Sequence, residues 1–396
     1  MNSAHWATKT KMHTDRNLLI TGDNLPVLRA LEKGFSERIQ CVYLDPPYNT
    51  GAVSRAAQES AGYVDKMDSK SWLESMHLRL KSIHKLLAET GSVFIQLDEN
   101  EMDYLKVELD TIFGKENFVN RIVINARSPS SFSTVNKGLF KASEYVLWYA
   151  KNKGKLKVFP LRVARKPDQA YRLWLSNPDD PPESWRITKL REAHPTMDLD
   201  QIRIQYAHRV CRLAPISDKK AGKAIVQVKA DSRQEPERVF VVQRDDHADQ
   251  YVLRGNQLIF YDKQVQMLDG TRSATQPLTN IWTDIAWEGI AKEGGVVYKT
   301  GKKPERLLRR ILQLCTEEGD WVLDAFLGSG STAAVAQKMG RRWVGIEQGE
   351  AWRLAKKRLR DVCNGDDPTG ISSIEDWKGS GDFMHYVWDD GFCLPE

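Results

Sequence analysis

The chain has 396 residues, of which 41% are hydrophobic, and a net charge of +5 at pH 7. This length and hydrophobic content predict a globular protein, either one large domain with an insertion or two to three domains. No run approaches the roughly 18 apolar residues of a membrane span, and the start lacks the apolar stretch of a signal peptide, so we expect a cytosolic protein without membrane contact.

The five cysteines are scattered and form no Cys-x-x-Cys pair, which argues against a disulfide framework and a zinc ribbon. No spacing of His, Cys and Glu predicts a metal site either. The positive charge is regional: residues 151–230 contain 18 Lys and Arg against 8 Asp and Glu, so +10 there leaves −5 for the rest of the chain. Such a segment is typical of a surface that faces a polyanion, although an ordinary solvated surface could also carry it.

From residue 18 to 126, short apolar runs alternate with helical segments, as in a doubly wound α/β sheet. Apolar side chains at helical spacing predict helices over 69–89 and 100–112, and the polar, serine-rich segment 127–141 predicts a mobile loop. Runs rich in strand-forming residues predict strands at 18–21, 39–44, 92–97, 120–125 and 145–151.

From about 155 to 275 the pattern becomes irregular and rich in Pro and Arg, which indicates an insertion. There we expect a helix at 197–209 and hairpin-like strands at 224–230, 237–243 and 251–261. The α/β alternation then returns, with predicted helices at 304–316, 331–339 and 349–361 and predicted strands at 320–326, 342–347 and 382–388.

The stretch Asp45-Pro46-Pro47-Tyr48 directly follows the predicted strand 39–44. Two prolines cannot continue a strand, so Asp45 and Tyr48 are placed at its carboxyl end. Ligands of open α/β sheets bind at that edge, which favours a functional role. An ordinary turn that ends a strand is the alternative, since Asp-Pro pairs often mark turns.

A second motif lies in VLDAFLGSGSTAAVAQKMGRRWVGIE (322–347), which predicts a strand, a glycine-rich turn, a helix and a strand that ends in an acid. Gly328 and Gly330 fit G-x-G-x-x-G/A, which allows a tight turn and close ligand approach, and Glu347 is placed to bind ribose hydroxyls. A Walker phosphate loop is excluded because no Gly-Lys-Ser/Thr follows. A dinucleotide oxidoreductase would explain this turn equally well, but it would not explain Asp-Pro-Pro-Tyr.

Together the two motifs resemble the S-adenosyl-L-methionine-dependent amino-methyltransferases that modify DNA bases. The downstream motif is a D-x-F-x-G-x-G variant formed by Asp324, Phe326, Gly328 and Gly330, and the motif order is that of the beta class. The segment 52–64 departs from the family pattern, which leaves details of the base pocket open. Segments that also resemble type III restriction-modification Mod subunits and their solitary relatives are 19–31, 65–76, 91–114, 144–152 and 303–312.

The resemblance implies a doubly wound, Rossmann-like methyltransferase sheet with an inserted target-recognition region. Residues 1–154 and 276–396 would form the catalytic domain, and residues 155–275 would bind DNA. The implied partners are double-stranded DNA and, as open alternatives, a second copy of the chain and a cognate restriction subunit. The helix at 99–112 could be the dimer contact or could pack on its own sheet. Because the chain is shorter than restriction-type relatives, we expect a solitary or compact modification enzyme.

For the reaction, the resemblance implies methyl transfer to N6 of a flipped-out adenine. Asp45 and the Pro46 carbonyl, stiffened by Pro47, would hold the two amine hydrogens so that the nitrogen lone pair points at the methyl group. Tyr48 would offer a face on which the extruded base stacks. Asp at the first position favours adenine N6 by resemblance only, so a cytosine-N4 enzyme and a catalytically idle recognition subunit remain alternatives.

The remaining site residues come from the same resemblance or from the basic insertion. Asp23 could instead cap a helix, Lys303-Pro304 could simply begin one, and the loop 127–141 could close over the base. Predicted cofactor contacts are Asp23, Asn24, Lys303, Pro304, Asp324, Phe326, Gly328, Gly330, Thr332 and Glu347. Predicted DNA contacts are Arg162, Arg165, Lys166, Arg172, Lys219, Lys220 and Lys223.

Overall fold

The chain divides into two compact units, Met1–Pro160 with Thr279–Glu396, and Leu161–Leu278. The sequence predicts the insertion over 155–275, a few residues from these bounds. Lys220, the segment 52–64 and most of the loop 127–141 lie outside the described residues. The structure, a computed structural model, describes residues 13–49, 67–128, 139–219, 222–244, 248–298, 301–389 and 392–395.

A ten-stranded mixed sheet forms the centre of the first unit, with its strands in the order β6-β4-β5-β3-β2-β7-β8-β1-β9-β10. The strands are β1 (Asn17–Thr21), β2 (Ile39–Leu44), β3 (Leu87–Leu97), β4 (Phe118–Asn125), β5 (Ser143–Ala150), β6 (Ile281–Trp282), β7 (Trp321–Asp324), β8 (Arg342–Glu347), β9 (Phe383–Asp389) and β10 (Phe392–Pro395). The helices are α1 (Asn24–Phe35), α2 (Ser69–Leu86), α3 (Met102–Phe113), α4 (Glu305–Cys315), α5 (Ser331–Lys338) and α6 (Ala351–Asn364).

The six strands from β3 to β9 in the sheet order are mutually parallel, whereas β5 and β10 run antiparallel to their neighbours. The carboxyl ends of β1, β2, β7 and β8 therefore lie at one edge of the sheet. The doubly wound α/β fold predicted from the sequence is confirmed. In the pairing of β2 with β7, Val42 lies opposite Leu323, so the two predicted motifs leave the sheet side by side.

Buried apolar side chains explain the two central elements at this edge. All six residues of β2 are buried, as expected for a parallel strand covered on both faces. In α4, Leu307, Leu308, Ile311 and Leu312 recur at helical spacing and are buried. The predicted helix over 69–89 ends at Leu86, because Leu87 pairs with Ile39 and begins β3.

A buried ion network joins the helices around the glycine-rich turn. The Lys338 ammonium lies 2.9 Å from Glu305 and 2.7 Å from Asp367, and Arg358 lies 2.7 Å from the other Glu305 oxygen. Arg358 also donates to the hydroxyl of Ser331, the first residue of α5. Since each charge in this network is paired, removing one member leaves the others buried and uncompensated.

We therefore expect Lys338→Met to lower the free energy of unfolding by about 3–5 kcal/mol, since Glu305 and Asp367 would remain buried without the ammonium that pairs with both. Lys378→Met is the matched control, because Lys378 pairs with Asp376 at the surface and such pairs contribute at most about 1 kcal/mol. Urea unfolding followed by fluorescence measures the free energy of unfolding of both variants. Equal losses in the two variants would contradict the stabilising role of the buried network.

The second unit contains a six-stranded antiparallel sheet and a three-stranded sheet. Tyr171 and Trp174 are buried in its own core. The strands are Arg162–Ala164, Leu173–Leu175, Ile187–Lys189, Val210–Pro215, Phe240–Val242, Gln250–Leu253, Asn256–Phe260, Val265–Leu268 and Thr271–Pro277, and the helices are Leu190–Ala193, Leu199–Gln205 and Lys223–Gln234.

The strand predicted at 224–230 is wrong, because these residues belong to the helix Lys223–Gln234. A short alternating apolar run cannot by itself distinguish a strand from a helix. The apolar side chains of this run are not buried: Val226 is 37% exposed, and the buried side chain of the helix is that of Ser232. The predicted hairpin at 251–261 is confirmed as two paired strands, Gln250–Leu253 and Asn256–Phe260.

Candidate active site

The ends of β1, β2, β7 and β8 are tied together by short polar contacts. The Asn24 side chain, which is buried, donates to the carbonyl of Ala325 at 2.7 Å and accepts from Arg79 at 2.5 Å. Gly22 donates its backbone N–H to the carbonyl of Glu347 at 3.0 Å. These contacts hold the turn after β1 against the turns after β7 and β8.

A buried lysine bridges two carboxylates at the end of β2. The Lys303 ammonium lies 3.2 Å from Asp45 and 3.1 Å from Glu144, and it donates to the Tyr48 hydroxyl at 2.7 Å. That hydroxyl lies 2.9 Å from Asp45 and 3.0 Å from Glu144, and its one proton can be donated to only one of them at a time. Exposure of the Lys303 and Glu144 side chains is only 7% and 8%. The four side chains thus form one polar cluster with a net charge of −1 when all three ionisable groups are charged.

Burial and the charges of neighbouring groups shift the pKa values of this cluster in opposite directions. Burial raises the pKa of Asp45, although the charge of Lys303 counteracts the effect. Burial also works to raise the pKa of Glu144, but the Lys303 charge and a hydrogen bond from Gln96 lower it below its ordinary value. For Lys303, burial alone would lower the pKa, yet the charges of Asp45 and Glu144 outweigh burial and raise it. Lys303 is therefore the cation that counteracts the effect of burial on the pKa of both acids.

The Asp-Pro-Pro-Tyr turn is braced from α2 and α3. The Trp72 indole donates to the carbonyl of Pro47 at 2.9 Å. Asn49, with a left-handed φ of 56°, donates to the buried carboxylate of Glu101 at 2.7 Å. Among the described residues, none donates a hydrogen bond to the carbonyl of Pro46. The turn therefore offers the Asp45 carboxylate and one peptide oxygen in a fixed geometry.

Asp324 orders the glycine-rich turn at the end of β7. Its carboxylate accepts from the Thr332 hydroxyl at 2.6 Å and from the backbone N–H of Phe326 at 2.9 Å. Gly330 has a φ of +83°, and a Cβ there would lie 3.2 Å from the Cβ of Ala355 in α6. A larger residue at Gly330 would thus be both strained and crowded, which explains why the turn needs glycine.

Glu347 lies beside this turn with its carboxylate fixed by the backbone. One oxygen accepts from Gly328 N–H at 2.6 Å and the other from Gly349 N–H at 2.9 Å. Burial raises the pKa of Glu347. Burial also raises the pKa of Tyr298 to about 12, with further contributions from the charges of Glu347 and Asp45. Tyr298 is therefore near both the acid of the glycine-rich turn and the acid of the Asp-Pro-Pro-Tyr turn.

The structure brings the two predicted motifs to one edge of the sheet but gives several predicted residues other neighbours. Lys303, predicted as a cofactor contact, contacts Asp45 and Tyr48. Asp23 caps α1, with its side chain accepting from Leu25 N–H at 3.0 Å, and remains half-exposed. Pro304 precedes the first residue of α4. Phe326 packs in part against the main core.

The predicted DNA contacts lie in the second unit and differ in their surroundings. Arg162 donates to Thr275 at 2.8 Å and to Gln264 at 3.2 Å, so its guanidinium joins neighbouring strands. The exposed residues among the predicted contacts are Arg165, Lys166, Arg172, Lys219 and Lys223.

Sequence reasoning missed Glu144, Gln96, Tyr298 and Trp287. Glu144 lies at the start of β5, and only the antiparallel pairing of β5 with β3 brings it to the carboxyl edge. Trp287 lies beside the cluster, with its ring centroid 5.7 Å from the Lys303 nitrogen, and its buried indole N–H has no partner among the described residues. The sequence signal for Glu144 is its position as an acidic residue at the start of the predicted strand 145–151.

The described residues contain neither a membrane-spanning helix nor a metal-binding cluster of side chains. No helix among them is long and apolar enough to span a membrane. No group of three or more His, Cys, Asp or Glu side chains in the described part of the chain is arranged to hold a metal ion.

The fold and this edge define an α/β protein of the Rossmann type, with a glycine-rich turn and a strand-end acid suited to a nucleoside-containing ligand. The sequence model of the DNA methylase family matches residues 39–357, and the chain belongs to that family. The predicted family resemblance is thereby confirmed.

Three curated relatives illustrate the match. The "Probable type III restriction-modification enzyme HindVI Mod subunit" of Haemophilus influenzae is 31% identical over 95% of this chain and 55% of its own length. The type III restriction-modification enzyme StyLTI Mod subunit of Salmonella typhimurium is 28% identical over 82% of this chain and 50% of its own length. The type II methyltransferase M.EcaI of Enterobacter cloacae is 26% identical over 89% of this chain and 71% of its own length. The chain thus spans about half the length of the two Mod subunits.

The protonation of Asp324 should make the free energy of unfolding depend on pH. Burial raises its pKa from 3.8 to about 7, against the hydrogen bonds from Thr332 and Phe326. The pKa of Asp324 is higher in the folded chain than in the unfolded chain, so protonation of this carboxyl favours the folded state. Its contribution to the free energy of unfolding is therefore fully present below about pH 4 and is lost as the pH rises through about 7. Asp324→Asn cannot titrate, so its free energy of unfolding relative to wild type should improve by up to about 4 kcal/mol between about pH 4 and pH 8.

Urea titrations of the ligand-free chain over this pH range measure the effect. Asp103→Asn is the control, because Asp103 is largely exposed and pairs with Arg121 at the surface. A constant difference between Asp324→Asn and wild type at every pH would show that Asp324 is ionised throughout.

Proposed function

We propose that the chain is a site-specific DNA methyltransferase that transfers a methyl group from S-adenosyl-L-methionine to N6 of a flipped-out adenine. One observation carries the proposal: the Asp45 carboxylate and the glycine-rich turn leave neighbouring parallel strands at the same edge. Membership of the DNA methylase family supports it. Restriction-modification is the setting named for the two Mod relatives, and we extend it to this chain as part of the proposal.

The residues of the glycine-rich turn fit the proposed cofactor. Each Glu347 oxygen accepts one backbone N–H and keeps lone pairs that could accept from ribose hydroxyls. Gly328 has a φ of +56° and leaves backbone open to close approach, with the Tyr298 hydroxyl 4.0 Å from where a Cβ would lie. When bound, S-adenosyl-L-methionine would supply a methyl carbon whose bond to sulfur breaks as the amine nitrogen bonds to it, which leaves S-adenosyl-L-homocysteine and releases one amine proton to the Asp45 carboxylate or to solvent.

The polar cluster at Asp45 provides what an unreactive ring amine needs. The lone pair of an exocyclic amine is delocalised into the ring, so the nitrogen must pyramidalise before it can attack. Asp45 and the Pro46 carbonyl would each accept a hydrogen bond from the amine and so direct its lone pair at the methyl carbon. The carboxylate would also offset the positive charge that develops on nitrogen. Lys303 keeps Asp45 ionised for this role and holds the Tyr48 hydroxyl, leaving the Tyr48 ring for stacking.

The choice of adenine N6 rests on Asp at the first position of the motif. A cytosine-N4 enzyme is the runner-up, since both amines have two hydrogens and the same cluster would orient either. A catalytically idle recognition subunit is disfavoured by the intact cluster of Asp45, Tyr48 and Lys303. A dinucleotide oxidoreductase is disfavoured by membership of the DNA methylase family.

Double-stranded DNA is the proposed substrate, and the cytoplasm is the proposed location. A cognate restriction subunit is a proposed partner because the relatives named above are Mod subunits. A homodimer is proposed through α2 and α3, where Leu78, Tyr104 and Val107 expose apolar surface. A groove of about 760 Å³ lies between these helices.

Asp45→Asn tests the chemistry. We expect transfer to fall by at least about a hundredfold while cofactor binding is retained, because the amide cannot offset developing charge but nearly preserves shape. Methyl-labelled cofactor and mixed-sequence DNA, digested to nucleosides, measure both the rate and the modified base. Asp103→Asn serves as the surface control. Label in N4-methylcytosine would refute the adenine assignment, and a normal rate in Asp45→Asn would remove Asp45 from the mechanism.

Lys303→Met tests the role of the ammonium in the same assay. Without this cation the pKa of Asp45 rises, so the acidic limb of the pH–rate profile should move up by roughly 1–3 pH units. Lys303→Arg keeps the charge and should largely restore the profile. Unchanged profiles in both variants, with cofactor binding intact, would contradict the proposed control of Asp45 by Lys303.

A further inference from the structure

A basic cavity of about 800 Å³ lies within the second unit. Four leucines and an alanine form the apolar part of its lining, and no acidic side chain lines it. Six cationic side chains complete the lining, namely Arg172, Lys189, Arg191, Arg203, Arg212 and Arg254. So many cations around one concave surface repel one another unless an anion is present.

Three of these cations are neutralised within the chain. Lys189 pairs with Glu192, Arg203 with Asp200 and Arg254 with Glu237, at 2.8, 2.6 and 2.8 Å. Among the described residues, no carboxylate lies within ion-pair distance of Arg172, Arg191 or Arg212. Counting only the described residues, the cavity therefore has an uncompensated charge of +3.

Two arginines of the lining are held in place before any ligand binds. Arg203 is 3% exposed and donates to the Tyr171 carbonyl at 3.0 Å, in addition to its pair with Asp200. Arg212 lies over the Tyr171 ring, 5.2 Å from its centroid. Its Nε is buried and has no hydrogen-bond partner among the described residues. A buried N–H without an acceptor is unfavourable, and an anionic ligand would supply the missing acceptor.

We propose that this cavity binds the sugar–phosphate backbone of DNA. Guanidinium groups match phosphate oxygens in a bidentate geometry, and an apolar surface beside them suits the face of a sugar or base. The basic excess of +10 over residues 151–230 provides attraction at longer range. This inference rests on the proposed function, and it assigns Arg191 and Arg212 to DNA binding in addition to Arg172.

The test uses the full chain with the paired substitutions Arg172→Gln and Arg191→Gln, both at exposed residues. The control combines Arg238→Gln with Lys263→Gln, which removes the same charge from the second unit outside the cavity lining. Fluorescence anisotropy with a labelled mixed-sequence duplex gives the affinity at several salt concentrations. Each lost phosphate contact should reduce the slope of log K against log salt by roughly 0.9.

We expect the cavity variant to bind DNA about tenfold more weakly and with a slope smaller by roughly 2. Its KM for DNA should rise, while its kcat at saturating DNA and its cofactor affinity stay at the wild-type values. The control variant should bind within about twofold of wild type. The single variant Arg191→Gln should show about half of this loss in slope. It provides a second measurement in case the double variant misfolds.

The outcomes separate this inference from the proposed function. If wild type methylates DNA but the cavity variant binds like the control variant, the cavity does not bind DNA and the proposed function stands. If the cavity variant loses binding to polyglutamate and not to DNA, the cavity is a site for an acidic protein segment. If wild type neither binds nor methylates any DNA, both proposals fail together.

Discussion

The parallel pairing of β2 with β7 is the constraint on which the rest of the site depends. Because Val42 lies opposite Leu323, the turn that begins at Asp45 and the turn that begins at Asp324 emerge next to each other. These residues are 279 positions apart, so no local preference of the chain could bring them together. The burial of all six residues of β2 stabilises this pairing, since an exposed strand could slip in register.

The pairing also creates an electrostatic problem, which Lys303 reduces. Asp45, Glu144, Asp324 and Glu347 all lie at the same edge, and burial raises the pKa of three of them. Glu144 is the exception, because the ammonium of Lys303 lowers its pKa. The cation thus lies between the two carboxylates whose pKa it lowers against the effect of burial. Burial raises the pKa of Asp324 to about 7.

Most of the fold of the first unit was predictable because its elements are long and regular. The strand before Asp45 is uniformly apolar, and the glycine-rich turn is encoded in consecutive residues, so both could be recognised locally. Glu144 and Lys303 lie 159 residues apart, and only their shared sheet edge reveals the contact between them. The strand predicted at 224–230 is wrong because a short run rich in apolar residues fits either secondary structure.

The site at this sheet edge must place the cofactor sulfur close to the target amine, and a crystal structure with S-adenosyl-L-homocysteine shows whether it does. We expect ribose hydroxyls on Glu347 and a sulfur atom that faces the Asp45 carboxylate and the Pro46 carbonyl. A ligand bound away from the glycine-rich turn, or with its sulfur directed away from Asp45, would contradict it.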